Sequence, residues 1–450
     1  MTGRRLTRPA RSWATWALAF GIGKAYLMRG VRKGDFLARL MADPRTNADP
    51  FEAYEHVRAA GPVLKTKLMS GTVSHAAANQ VLRSGEFGVG DGHGELPPLT
   101  RRALLRIMDP QAFGPMDPPS LLAVDPPDHA RYRRLVSREF TARSVAALEP
   151  RIVEVAESLL DRVAGNVRDG ESASFDLVHA YASQLPVAVI AELLGVPEHW
   201  QADILDWGNE AALLLDPALS WHDYKVAEHG TRMLNEWFRD HVAALRADPG
   251  TDLLSRLATM SGDDRLDDRE LASVGLLVLG AGFETTVNLI GNAVVQLDTH
   301  PEQLAIARER PELWPNVVEE VLRYDSPVQM TLRSAYADVD VGGHMVAEGE
   351  PVVVFLGGAN RDPDVFSDPH TFDITRVNAN EHLAFSSGIH YCLGAGLARL
   401  EGAVAVRTLY ERFPDLRVAA PPKRRGTRVL RGYDSIPVNT GVSRVLRAAS

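Results

Sequence analysis

The chain has one cysteine, Cys392, and it stands in the run Phe385-Ser386-Ser387-Gly388-Ile389-His390-Tyr391-Cys392-Leu393-Gly394-Ala395-Gly396. An amphipathic segment from Leu397 to Phe413 follows, so the cysteine is expected just ahead of a helix. There the unpaired N–H groups of the first turn and the positive end of the helix dipole favour a thiolate over a thiol. Gly388, Gly394 and Gly396 let the backbone lie close to a flat ligand, and a soft thiolate suits iron. A lone cysteine is as readily a small buried apolar side chain, so the rest of the chain must decide.

Three further groups of residues could do chemistry. In Ala281-Gly282-Phe283-Glu284-Thr285-Thr286 an acid and an alcohol adjoin in the middle of an apolar periodic segment, Leu271 to Leu297. Such groups are costly unless partnered. A threonine there can bond back to a carbonyl and loosen the helix, so a structural kink is the plain alternative. Glu320 and Arg323 share a face of a helix that starts at Pro315 and ends before Pro327; at a surface such a pair would be worth little. Asp128, after Pro126-Pro127, reads as an N-cap that sets His129 and Arg133 on one face. Arg333 in an expected strand and His390 in the cysteine loop complete four cationic donors able to hold carboxylates. Singly, each reads as a solvated surface charge.

The elements that must position these groups are mostly helical. Apolar residues recur every three or four positions through Val153–Val163, Leu185–Leu194 and Met233–Leu245. Strands are fewer: Val63 to Val73 reads as a hairpin turning at Ser70-Gly71, and Val339 to Leu356 as short strands punctuated by Gly342-Gly343 and Glu348-Gly349. The stretch from Gly88 to Asp125, rich in Gly and Pro, is expected to be a long irregular loop. The fold class is therefore mainly α with small β-sheets (α+β). No linker, repeat or low-complexity tract divides the chain. A basic, partly apolar extension over residues 1–40 is expected to precede a single domain over 41–450.

Composition removes several functions. A net charge of −9 disfavours nucleic acid as a partner. One cysteine excludes an internal disulfide framework and multi-cysteine zinc or iron–sulfur sites, and points to a reducing cytoplasm. The most apolar central stretch, Val274 to Phe283, is too short to span a bilayer. At the N-terminus Arg4, Arg5, Arg8 and Arg11 precede an apolar stretch, Trp13 to Gly23, and Lys24, Arg29, Arg32 and Lys33 follow it. No small-residue cleavage site accompanies this signal-like core. The segment suits either peripheral contact with an anionic membrane or packing against the domain.

Taken in order and spacing, the cysteine loop, the Glu320-x-x-Arg323 helix, the Ala281-to-Thr286 helix and the Asp125-Pro126-Pro127-Asp128-His129 segment resemble the cytochrome P-450 family. The likeness runs from about Asp49 to Leu446 and is greatest to its soluble bacterial branch, especially actinobacterial members. It implies a single domain with haem b between the long central helix and the helix after the cysteine loop. It makes Cys392 the iron ligand, gives His129, Arg133, Arg333 and His390 to the haem propionates, and puts Phe385 beneath the haem near the sulfur. Glu320, Arg323 and Arg376 become a buried structural group, and Glu284 and Thr285 take proton-delivery roles. Ser386 stands where many relatives have glycine, with little consequence expected.

The activity implied is insertion of one oxygen atom of O2 into a lipophilic substrate, by hydroxylation or epoxidation. No flavin or nicotinamide domain is fused to the chain, so a ferredoxin and its reductase are the expected electron donors. Arg131, Arg134 and Arg138, at i, i+3 and i+7 beside the haem-facing residues, form a candidate docking face. The substrate walls would come from Gly88–Asp125, Leu213–Trp221, the long helix before Ala281 and Val328–Thr331, all largely apolar. Two other classes compete: a haem sensor or carrier without turnover, and a haem-free hydrolase using Cys392 with a histidine base. A sensor does not need Glu284 and Thr285, and a hydrolase does not need four cationic donors.

Overall fold

The longest helix, Asp268–Thr299, is apolar on every side and is accordingly wrapped by other elements. The structure is a computed structural model and describes residues 7–67, 69–90, 98–108, 113–165, 172–262 and 265–441. A capping box fixes the start of the long helix: the Asp267 side chain accepts from the N–H groups of Arg269 and Glu270, and the Glu270 carboxylate accepts from the N–H of Asp267. Leu271, Val274, Leu279 and Phe283 belong to one apolar core with the helices Gln201–Ala212 and Trp221–Ala247. Val287, Ile290, Val294 and Leu297 belong to a second, with the helices Glu149–Ala164, Trp314–Tyr324 and Ala395–Arg412. The polar run Glu284-Thr285-Thr286 sits at the seam between the two cores. Among the described residues this is the one helix long and apolar enough to cross a membrane, and 67% of its most apolar window is buried inside the molecule.

The expected class, mainly α with small sheets, is what forms. Five short strands make the main sheet, in the order Leu64–Lys65, Ser70–Thr72, Pro351–Val354, Thr331–Ala335, Phe87–Gly88. Ser70–Thr72 runs parallel to Pro351–Val354 and the other pairs are antiparallel. Val339–Val341 and His344–Val346 pair across Gly342-Gly343, as the glycines suggest.

Three local expectations need correction. The Val63–Val73 hairpin does not turn at Ser70-Gly71: the Thr66 N–H donates to the Met69 carbonyl at 3.0 Å, and Ser70 and Gly71 lie in the returning strand. Gly71 serves packing instead of turning, since a Cβ on it would lie 2.7 Å from Leu37 Cδ2. The helix Pro98–Ile107 interrupts the stretch expected as irregular, because Pro at a first turn is followed by good helix formers; residues 91–97 and 109–112 lie outside the described residues. The N-cap of the helix Asp128–Val136 is Pro127, not Asp128, whose charge now sits in the first turn.

The N-terminal extension folds back onto the domain. Helices Arg8–Trp16 and Ile22–Arg32 are joined through a π-helical turn, Ala17–Gly21. Ser12 Oγ donates to Glu228 at 2.6 Å and Trp16 Nε1 to the Leu219 carbonyl at 3.2 Å, while the Trp16 and Phe20 rings meet Trp221 and Tyr224. Leu27 shares a core with Leu37, Tyr54 and Phe355, and residue 40 falls inside the helix Phe36–Ala42.

Candidate functional site

Cys392 follows a single 3-10 turn, Gly388–His390, and precedes the helix Ala395–Arg412. Its N–H donates to the Phe385 carbonyl at 2.9 Å, which closes the loop into a ring of backbone around the sulfur. Gly388 takes φ 70°, and a Cβ there would lie 2.3 Å from the Leu82 carbonyl oxygen, so only glycine lets the loop lie against the helix His75–Arg83. Ser386 also takes a left-handed backbone, φ 62°, and its Oγ is buried without a hydrogen-bond partner among the described residues. The serine therefore has the consequence that sequence reasoning dismissed: it is a strained side chain where glycine would be free.

Cys392 is half-buried, and the desolvation of its thiol pushes the pKa up, while a backbone hydrogen bond at Gly394 and the guanidinium groups of Arg133 and Arg399 work the other way. A sulfur so placed becomes a thiolate readily only against a cation, which is the chemistry of a metal ligand. Phe385 stands beside it, with the Arg399 guanidinium 4.6 Å above its ring. Arg399 is held in turn by Glu319 at 2.5 Å, which also takes His382 at 3.0 Å.

The four predicted cationic donors converge next to the cysteine loop. The rings of His129 and His390 are 4.3 Å apart, and Arg133 donates to the Tyr391 carbonyl at 2.7 Å. Arg333, buried, donates to Thr331 Oγ1 at 3.0 Å and to the Leu332 carbonyl at 2.7 Å. Burial lowers the pKa of Arg333 to about 10. Burial, then the charges of Arg333 and His129, lower that of His390 to about 4. The facing acid is Asp125, whose Oδ1 is 3.7 Å from His390 Nε2, beyond hydrogen-bond reach. Its carboxylate is engaged elsewhere, by the Tyr336 hydroxyl and the N–H groups of Val89 and Gly90. A buried Arg333 beside Arg133, His129 and His390, with the facing acid already committed, suits a ligand that brings carboxylates of its own.

In the centre of the long helix Ala281 is exposed and Thr285 half-buried, one turn apart on the same face, while Phe283, Glu284 and Thr286 are buried. Thr285 Oγ1 donates back to the Ala281 carbonyl at 3.0 Å and Thr286 Oγ1 to that of Gly282 at 3.3 Å, the back-bonding open to a threonine in mid-helix. Glu284 points away from that face. Its Oε1 accepts from Arg425, its Oε2 is buried without a partner among the described residues, and burial raises its pKa against the pull of Arg425.

Glu320 and Arg323 are fully buried, and both Glu320 oxygens accept from Arg323 at 2.7 Å. The other Arg323 donors reach the carbonyls of Asn360, Pro369 and Thr371, and Arg376 adds a second cation 3.3 Å from Glu320. This is a structural knot with its donors satisfied, away from the thiol. The expected docking face is smaller than its spacing suggests. Arg131 is tied to Glu270 at 2.7 Å, and Arg138 lies past the helix end in the 3-10 turn Ser137–Phe140.

One set of residues escaped the sequence reading. Arg424, Arg425, Arg428 and Arg431, on one C-terminal arm, reach Asp325, Glu284, Asp216 and again Asp325. Four arginines within eight positions of an acidic chain were the available sign.

The family model for Cytochrome P450 matches residues 114–424. The protein designated cytochrome P450 140 in Mycobacterium tuberculosis is 47% identical over 433 residues, covering 95% of this chain and 98% of that protein. That match reaches into the N-terminal extension. The 6-deoxyerythronolide B hydroxylase of Saccharopolyspora erythraea is 43% identical over 319 residues, covering 70% of this chain and 76% of the hydroxylase. The solved structure of Mycobacterium smegmatis CYP164A2 with econazole bound is similar with a TM-score of 0.79 at 34% identity, covering 90% of this chain and 99% of that one. Likeness of this extent, carried by sequence and fold together, makes the chain a member of the cytochrome P450 family of haem-thiolate monooxygenases.

Proposed function

We propose that Cys392 Sγ would ligate the iron of haem b, that His129, Arg133, Arg333 and His390 would hold its propionates, and that Phe385 would pack against it near the sulfur. The observation that carries this reading is the gathering of these four donors beside the cysteine loop, where the His129 and His390 rings meet, Arg133 reaches the Tyr391 carbonyl, and the one facing acid is already engaged elsewhere. When bound, haem supplies the oxygen chemistry, in which one atom of O2 enters a C–H or C=C bond of the substrate and the other leaves as water. The chain's own part is to hold the sulfur, orient the substrate and manage protons. Thr285 Oγ1, on the accessible face, is the hydroxyl that relays a proton, and Glu284 Oε2 is the carboxylate oxygen left free to carry one. The reduced carbon monoxide spectrum of purified wild type and Cys392→Ser tests the assignment. A thiolate-type band that persists in the serine variant overturns it, and a band with no turnover on any substrate favours the sensor reading.

The substrate is a lipophilic molecule hydroxylated or epoxidised in the cytoplasm, with electrons from an external ferredoxin and its reductase. Apolar residues lead up to Ala281 on the long helix, and a relative is named as the hydroxylase of 6-deoxyerythronolide B. Docking of the ferredoxin falls to Arg134 and Arg138, which are exposed and follow Arg133 in the chain. Reversing both to glutamate should slow reduction and flatten its dependence on salt.

A further inference from the structure

We propose that the outer stripe of the N-terminal helix pair docks on the surface of an anionic phospholipid bilayer. This concerns where the enzyme works and is independent of what the haem site does.

The first 33 residues carry eight Lys or Arg and no Asp or Glu, in a chain whose net charge is −9. In the helix Ile22–Arg32 and the residue after it, Ile22, Tyr26, Arg29 and Lys33 fall at i, i+4, i+7 and i+11 and so share one face. All four are exposed, Ile22 at 58% and Tyr26 at 52%. Trp13, before the π-helical turn, is 56% exposed. Three large apolar side chains left in water within 14 positions are not remnants of a core that failed to close. The inner side is already packed, through Leu27 and Gly30 on the second helix and through Ser12, Trp16 and Phe20 before it.

An aromatic and an aliphatic residue interleaved with cations on one helix face is the pattern of a helix lying in a bilayer interface. A polyanion such as nucleic acid would use the cations but leave Ile22 and Trp13 without apolar contact. A spanning helix is excluded by the fold, because the apolar stretch Trp13 to Gly23 spends its inner side on Trp221, Tyr224 and Leu219. The helix Arg8–Trp16 also touches Pro98–Ile107 and Trp221–Ala247. The helix pair would thus stand between the bilayer and segments that the family resemblance makes walls of the substrate space.

The test is flotation of the full-length holoprotein with vesicles of phosphatidylcholine alone or with phosphatidylglycerol added. Wild type should float with the anionic vesicles and not the neutral ones, and should be released by high salt. Arg29→Glu with Lys33→Glu should weaken binding by about thirtyfold or more, since each basic residue near the surface is worth about 1 kcal/mol. Ile22→Glu with Tyr26→Glu should weaken it as well, with the carbon monoxide spectrum unchanged in both. Lys33→Glu alone, beyond the helix end, gives a smaller loss should either double variant fold poorly. Equal flotation with neutral vesicles, or full binding by the charge-reversed variant, overturns the proposal. Retention on DNA or heparin without vesicle binding overturns it too, and assigns the cations to a polyanion.

Discussion

Arg425, thirteen residues past the last helix, donates to Glu284 in the middle of the longest one, across 141 positions of chain. The pair joins a side chain from the C-terminal arm to the seam between the two cores. Arg425→Ala should therefore cost about 3–5 kcal/mol, because it leaves a buried carboxylate without its counter-charge. The loss has a defined pH dependence. Burial already holds the Glu284 pKa above its ordinary value, and the substitution raises it further. A folded-state pKa above the unfolded one gives stability that is complete at low pH and falls as pH rises through the raised value. Denaturant unfolding of Arg425→Ala between pH 4 and pH 8 should show that fall, and adding Glu284→Gln should remove it. A flat profile in the single variant would mean that water reaches the carboxylate.

Acid should act on the haem-free and haem-loaded protein differently. The pKa values of His129 and His390 lie below the usual histidine value because of burial, that of His390 at about 4. The unfolded chain then binds protons that the folded one refuses, so stability is lost as pH falls from about 6.5 toward 4. Haem carboxylates beside these rings would raise both values and shrink the loss. Unfolding of apo and holo protein at pH 7 and pH 5 checks this, and an equal loss in the two forms would remove these histidines from the haem contact.

Two positions in the cysteine loop should respond in opposite directions. Ser386→Gly should stabilise the protein by about 1 kcal/mol, since a left-handed backbone costs a side chain roughly that much and a buried hydroxyl without a partner is removed. Gly388→Ala should destabilise it and lower haem retention, since its Cβ meets the Leu82 carbonyl oxygen. Thermal unfolding and haem absorbance per mole of protein measure both.

Thr285→Val should keep the haem spectrum and still consume reductant, but release it as peroxide in place of oxidised product. The hydroxyl bonds back to the Ala281 carbonyl and is the proton carrier proposed above, so valine removes it while keeping the shape of the side chain. Product formed per reductant consumed is the measurement. Unchanged coupling would assign proton delivery to Glu284 or to water.

Much of this site can be read from the chain because its determinants are local. A cysteine ahead of a helix, an acid beside an alcohol in an apolar run, and His129 with Arg133 on one turn each follow from spacing alone. What escaped the reading depends on distant contacts. Nothing near Gly71 distinguishes a glycine that turns from one pressed by Leu37, because the pressing residue is 34 positions away. Ser386 looked harmless until its φ was known. Arg131 read as free surface charge because its partner, Glu270, belongs to the N-terminal cap of another helix.

The C-terminal arm also sets a deadline for folding. A chain made from its N-terminus presents Asp216, Glu284 and Asp325 well before Arg424, Arg425, Arg428 and Arg431 exist to meet them. Until those last residues clear the ribosome, the centre of the long helix carries a carboxylate with nothing opposite it. Closing the two cores before then would bury that charge bare, so translation that stops short of residue 424 should yield a chain that stays open to proteases instead of a smaller enzyme.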